Sequence, residues 1–200
     1  MNFIVLANDV AFELIKQTAP ENNWVKVEDV SSFTDHTNAD AFFDLTQNAF
    51  SNDHPVSGKP LFINSVAEVL PASKKAVRIN AWNGFVENDT WEVAGTIGEN
   101  EKAVLAALHK KIIECADEPG FIAARIIAMI INEAYFAKGE NVSTEAAIDI
   151  AMKLGTNYPY GPFEWAEKIG LDNIYALLEK LSRQDKKYQP SPLLTKTVKG

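Results

Sequence analysis

Three histidines, His36, His54 and His109, are the chain's ready acid–base groups near neutral pH. No two stand at H-x-x-x-H spacing, the pattern that puts a metal pair on one helix face. His36 and His54 fall in polar loop segments, and His109 ends a helical stretch before two lysines. Histidines in such places are ordinarily solvated. His54, in Ser51-Asn52-Asp53-His54-Pro55, is kept as the one that a loop could fold over a cleft. The single cysteine, Cys115, excludes a disulfide framework and a cysteine-based zinc site. No serine sits in a nucleophile elbow, and no G-x-x-x-x-G-K-[ST] phosphate loop occurs. A phosphate-cradling turn needs glycines for close backbone approach. The first glycine of the chain is Gly58.

The charge narrows the partners further. The 200 residues carry a net charge of −8, with 46% hydrophobic and 23% charged residues. That composition buries a core, and the acidic balance argues against a broad nucleic-acid-binding face. Residues 1–97 hold 13 acidic against 6 basic side chains, and residues 98–200 hold 14 against 13. No run of eighteen apolar residues is present, so no membrane span is expected. The opening MNFIVLANDVAF lacks a basic segment and a small-residue cleavage site. The expectation is a cytoplasmic protein without a membrane or nucleic-acid partner.

The elements that would position any site follow from apolar periodicity. Runs at 3–6, 24–27, 41–45, 61–63, 76–79 and 91–94 predict short buried strands. A helical pattern from residue 10 to Pro20 and a polar loop over 47–60 interrupt them. The alternation predicts a small α/β layer with a largely parallel sheet over residues 1–97. Residues 98–200 read as mostly helical, with a strand-like 111–116. The stretch 121–137 is apolar nearly all round and must be covered on more than one side, as a central bundle helix or one shared with a second subunit. Ser143 is the expected N-cap of the next helix and Gly155 its terminator. The tail containing Pro190 and Pro192 is expected to be an extended arm or disordered.

From Asp117 onward the residues resemble a known family. Asp117-Glu118-Pro119-Gly120-Phe121-Ile122-Ala123-Ala124-Arg125 is similar to the motif that opens the C-terminal domain of 3-hydroxyacyl-CoA dehydrogenases. The resemblance continues through Asn132-Glu133-Ala134, Ile148-Asp149, Ala151-Met152-Lys153-Leu154-Gly155 and Tyr158-Pro159-Tyr160-Gly161-Pro162-Phe163-Glu164. It closes at Ile169-Gly170-Leu171-Asp172. The resemblance implies an α/β plus all-α protein. A reduced Rossmann-like domain (1–97) would precede a helical, 6-phosphogluconate-dehydrogenase-C-terminal-like dimerisation domain (98–200). It also implies NAD as the family's cofactor, an acyl-CoA ligand and a homodimer formed by the helical domain.

Upstream, the resemblance implies which positions would carry the chemistry, and most are substituted. The family's catalytic histidine falls at Asn80, within Asn80-Ala81-Trp82-Asn83-Gly84; its orienting glutamate, twelve residues on, is retained as Glu92. The serine's place is taken by Val66 in Ile63-Asn64-Ser65-Val66-Ala67, and the asparagine's by Ala124. The family's G-x-G-x-x-G turn is Leu6-Ala7-Asn8-Asp9-Val10-Ala11, without glycine and with an added acid, while Glu28 or Asp29 stands where a ribose-binding acid would. No cofactor and no metal are therefore expected to bind. Three readings follow: a dimeric pseudoenzyme that binds acyl-CoA or regulates a relative; an active divergent NAD-dependent 3-hydroxyacyl-CoA dehydrogenase of fatty-acid metabolism; or a chain related to the family through its helical domain only.

Overall fold

Strand β1 (Asn2–Leu6) is buried on both faces, which suits the centre of a parallel sheet. The computed structural model describes residues 1–56 and 58–200, which form two compact units, Met1–Phe121 and Ile122–Gly200. The first unit is built on β1, β2 (Asn23–Val27), β3 (Ala41–Asp44), β4 (Leu61–Asn64), β5 (Val77–Ile79), β6 (Thr90–Ala94) and β7 (Lys111–Glu114). Their order across the sheet is β2-β1-β3-β4-β5-β6-β7. All pairings are parallel except β5 with β6. The chain leaves β1 toward β2 on one side and returns as β3 on the other. This is the topological switch point, outside whose carboxyl ends α/β sheets bind ligands.

The two faces of the sheet are covered differently. Phe3, Val5, Phe43, Phe62 and Trp91 pack against Phe12 and Ile15 of α1 (Asp9–Thr18), Val104 and Leu105 of α2 (Glu99–Ala107) and Leu108, which caps α2. Ile4, Leu6, Phe42, Leu61 and Ile63 pack instead under Phe33, Ala49 and Leu70, which come from short 3-10 turns and loops. Each fully buried Phe or Ile stabilises by about 1.5–3 kcal/mol. The strand-like runs read from the sequence therefore lie in one Rossmann-like sheet, reduced because irregular segments replace helices on one face.

The second unit is helical: α3 (Ala123–Gly139), α4 (Glu145–Thr156), α5 (Pro162–Ile169), α6 (Leu171–Ser182) and α7 (Pro192–Lys199). Helix α3 is central and packs on α4, α5, α6 and α7, with Ile127, Ala128 and Ile131 inside. Its burial is supplied by this chain's own helices, although Ile122 and Ile126 remain exposed.

Several expectations need correction. The boundary drawn at residue 97 falls too early: β7 pairs in parallel with β6 and α2 covers the sheet, so the first unit runs to Phe121. The tail is neither an arm nor disordered. Asn132 accepts a hydrogen bond from the Ser191 amide (2.8 Å) and donates to the Gln189 carbonyl (2.9 Å), and Ser191 caps α7. Thr144, not Ser143, caps α4, and Asn157 in the left-handed conformation ends it, Gly155 remaining inside the helix.

Candidate functional site

The carboxyl ends of the parallel strands bring together a row of asparagines. Asn8 follows β1, Asn64 ends β4 and Asn80 follows β5. Asn64 accepts from the Ala81 amide (3.2 Å) and donates to the Leu45 carbonyl (3.5 Å), tying the ends of β3, β4 and β5. The antiparallel turn between β5 and β6 sets residue 80 opposite residue 92, and the Asn80 amide donates to the Glu92 carbonyl (3.4 Å). The twelve-residue spacing thus makes Asn80 and Glu92 cross-strand neighbours. Asn80 is buried, and its Nδ2 has no partner among the described residues. Its amide neither takes nor gives a proton near neutral pH. Burial pushes the Cys115 thiol up, and the Glu92 carboxylate adds to that shift.

Val66 is buried behind β4, and its carbonyl accepts from the Gly120 amide at 2.7 Å. It offers no hydroxyl. The hydroxyl of Ser65 beside it is spent on the Glu68 carbonyl (2.6 Å). Ala124 lies in the second unit, fully buried in the first turn of α3. Among the four family positions, then, Asn80 and Glu92 adjoin, while Val66 and Ala124 serve packing.

The turn from β1 into α1 does not fit a dinucleotide. In the Rossmann fold the pyrophosphate rests on free amides at this helix N-terminus. Here Asn8 is the N-cap, and its Oδ1 already accepts from the Ala11 amide at 2.8 Å. Asp9 follows, exposed, with Lys26 bridging it to Glu28 at 2.7 Å to each. The Lys26 ammonium holds the Asp9 carboxyl below its usual range. Lys26 is thereby neutralised by two acids, and an incoming diphosphate would meet carboxylates.

His54 comes to lie at the end of β3, where sequence reasoning did not place it. Its Nε2 donates to Asp44 Oδ2 at 2.8 Å, and both side chains are fully buried. Asn52 donates to the same carboxylate (2.7 Å), and the Thr46 amide and hydroxyl donate to its other oxygen (3.0 and 2.7 Å). Burial would raise the Asp44 pKa, but these hydrogen bonds outweigh it and hold the carboxyl below its usual range. Sealed from solvent, the pair fastens the 46–56 loop to the sheet and presents no base to a substrate. His36 is half-buried, and His109 is exposed and pairs with Glu21 at 2.7 Å. Among the described residues no three His, Cys, Asp or Glu side chains are grouped to hold a metal. Among the described residues no helix is long and apolar enough to cross a membrane.

Sequence reasoning missed Arg78. On β5, fully buried, it donates from Nε to the Ser65 carbonyl (3.0 Å), pairs with Asp117 and lies 4.8 Å from the Phe121 ring centre. It pins the Asp117–Phe121 motif to the sheet. A lone charge in the apolar Ala76–Ile79 stretch was the available signal.

Comparison with known proteins agrees with this fold. Residues 120–200 match the family model described as 3-hydroxyacyl-CoA dehydrogenase, C-terminal domain. A probable 3-hydroxybutyryl-CoA dehydrogenase of Bacillus subtilis is 42% identical over 146 residues, covering 69% of this chain and 51% of the relative. A 3-hydroxybutyryl-CoA dehydrogenase of Bradyrhizobium diazoefficiens is 43% identical over 104 residues, covering 51% of this chain and 36% of the relative. The matched stretches thus span about half or less of these relatives. The crystal structure of FadB2 from M. tuberculosis superposes with a TM-score of 0.74 at 14% identity, over 99% of this chain and 93% of that one. That of (S)-3-hydroxybutyryl-CoA dehydrogenase PaaH1 from Ralstonia eutropha gives 0.71 at 18% identity, with the same coverage. At such identities the likeness shows the fold, and it covers both units.

Proposed function

For a chain that belongs to the 3-hydroxyacyl-CoA dehydrogenase family through its C-terminal domain, we propose a role without the family's hydride transfer: a dimeric, non-catalytic member that binds acyl-CoA or regulates a relative. The observation that carries this reading is the β1–α1 turn, where the Asn8 side chain occupies the amide that a pyrophosphate would use and Asp9 adds a charge that repels it. Asn80 supports it, since the residue just after β5 whose amide reaches the Glu92 carbonyl carries a side-chain amide and not a titrating group. Losing a general base alone costs roughly 10²–10⁴ in rate.

The dimer reading rests on α3 and α4. Ile126 is 51% exposed, Ile150 55% and Leu154 84%, apolar side chains that a second copy would cover. Light scattering on the wild type and on Leu154→Glu tests this: the wild type is expected at twice the chain mass and the variant nearer the chain mass. A wild-type mass equal to one chain overturns it. The free Cys115 fits a reducing, cytoplasmic compartment.

Calorimetric titration with NADH and then acetoacetyl-CoA tests the functional reading. No saturable heat is expected with NADH, and saturable binding is expected with acetoacetyl-CoA. Saturable NADH binding would restore the reading of an active dehydrogenase. Absence of both would leave regulation through a protein partner as the surviving part.

A further inference from the structure

The antiparallel run of β6 has a consequence at the opposite end of the sheet from the β1–α1 turn. It brings the segment after β6 beside the segments that lead into β4 and β5. Between them is a cleft of about 800 Å³ within the first unit. Gly95 makes the approach close: its φ is +106°, and a Cβ there would meet the Ala76 carbonyl oxygen at 2.9 Å.

The cations of the unit collect at this cleft. Residues 1–121 hold 18 acidic and 9 basic side chains, and four of the nine, Lys59, Lys74, Lys75 and Arg78, line it. Of the two lining carboxylates, Asp117 pairs with Arg78, whereas Glu101 accepts from the neutral Gly98 amide at 2.9 Å and keeps its charge, so the three lysines outnumber one unpaired acid in the cleft. Lys74 donates to the Phe50 and Asn52 carbonyls, neutral partners that leave its charge in place, with Asp44 and Asp53 near enough to act on it. Lys59 and Lys75 are exposed and have no acidic partner among the described residues. An excess of positive charge gathered in a concave site of an otherwise acidic unit focuses anions there.

We propose that this cleft is a binding site for a small phosphate-bearing anion. The free cations are lysines, compact point charges that suit a tetrahedral phosphate, while the planar guanidinium of Arg78 is already engaged. The site is separate from the asparagine row and requires nothing of the proposed loss of hydride transfer.

Inorganic pyrophosphate and citrate, titrated calorimetrically into the full chain at low salt, are the probes. Pyrophosphate is expected to bind one per chain, more tightly than citrate, and to weaken as salt rises. The double variant Lys59→Ala, Lys75→Ala is expected to bind it at least about tenfold more weakly, about 1.4 kcal/mol. Lys16→Ala on α1, outside the cleft, is expected to bind as the wild type does. Thermal unfolding of each variant checks that it is folded. No pyrophosphate binding at millimolar concentration, or equal loss in Lys16→Ala, overturns the site. Tighter binding of citrate overturns its assignment to phosphate.

Discussion

The carboxylate of Asp149, on α4, stands 2.8 Å from the backbone amide of Phe163 in the first turn of α5. Its other oxygen accepts from the Glu164 amide at 3.3 Å. A buried acid thus caps a helix it does not belong to, and Glu164 closes the turn by accepting from the Gly161 amide at 2.9 Å. A Cβ on Gly161 would overlap the Asp149 side chain, so only glycine leaves room. Gly161→Ala is therefore expected to lower the stability of the second unit by about 1–3 kcal/mol, through displacement of the cap and orphaned amides. Asp149→Ala should cost a similar amount, and the double variant should cost less than the sum of the two, because both break one contact. Denaturant unfolding of the three variants measures this, and full additivity would show that the two residues act independently.

Asn132 gives a second case. It holds the Gln189 carbonyl and the Ser191 amide, and so docks α7 against α3. Asn132→Leu keeps the volume but leaves both backbone groups buried without partners, at a cost of about 1–3 kcal/mol. Hydrogen exchange is expected to rise over residues 189–200 before the rest of the unit. Uniform acceleration across α3 to α6 would mean that Asn132 supports the whole bundle.

These two side chains show what could be read in the sequence. Apolar periodicity located the strands, because a buried strand needs little beyond a short apolar run. The family motif located Asp149, Gly161 and Asn132 but not their work, which depends on residues 14 and 59 positions away. The tail was misread because Pro190 and Pro192 look like breakers, whereas Pro192 opens α7 at a position where proline is favoured. The partners of His54 and Arg78 are not legible for the same reason: each is held by groups from other strands and loops, and only the lone charge in the apolar 76–79 stretch hints that Arg78 is buried.

The Asp44 carboxyl has a folded pKa below its unfolded value of about 3.9. Its hydrogen bonds therefore contribute stability above that unfolded value and lose it as pH falls through the folded one. Asp44→Asn is expected to destabilise the first unit by about 1–3 kcal/mol at pH 7. The gap to the wild type should narrow as pH falls below about 4. Unfolding curves between pH 7 and pH 3 test this. A gap that stays constant through that range would show that the ionised form is not what the loop depends on.

Asn80 stands opposite Glu92, where the family's pattern has its histidine. Asn80→His would put an imidazole on the strand neighbour of that glutamate, since the register of β5 and β6 already pairs the two positions. The base and its orienting acid would then both be present. NAD-dependent oxidation of 3-hydroxybutyryl-CoA is nevertheless expected to stay at the level of a heat-killed control, for the unmodified protein and for Asn80→His. Val66 and Ala124 still lack the polar groups of the family's pattern, and the Ala11 amide remains taken by Asn8. A base contributes roughly 10²–10⁴ in rate, but only when a hydride acceptor is held beside the substrate. Turnover by the unmodified protein, dependent on NAD, would overturn the non-catalytic reading. If that turnover disappeared in Glu92→Gln, Glu92 itself would be the base. Turnover that appeared only in Asn80→His would show that the cofactor binds despite Asn8 and Asp9, and that the missing histidine alone had silenced the site.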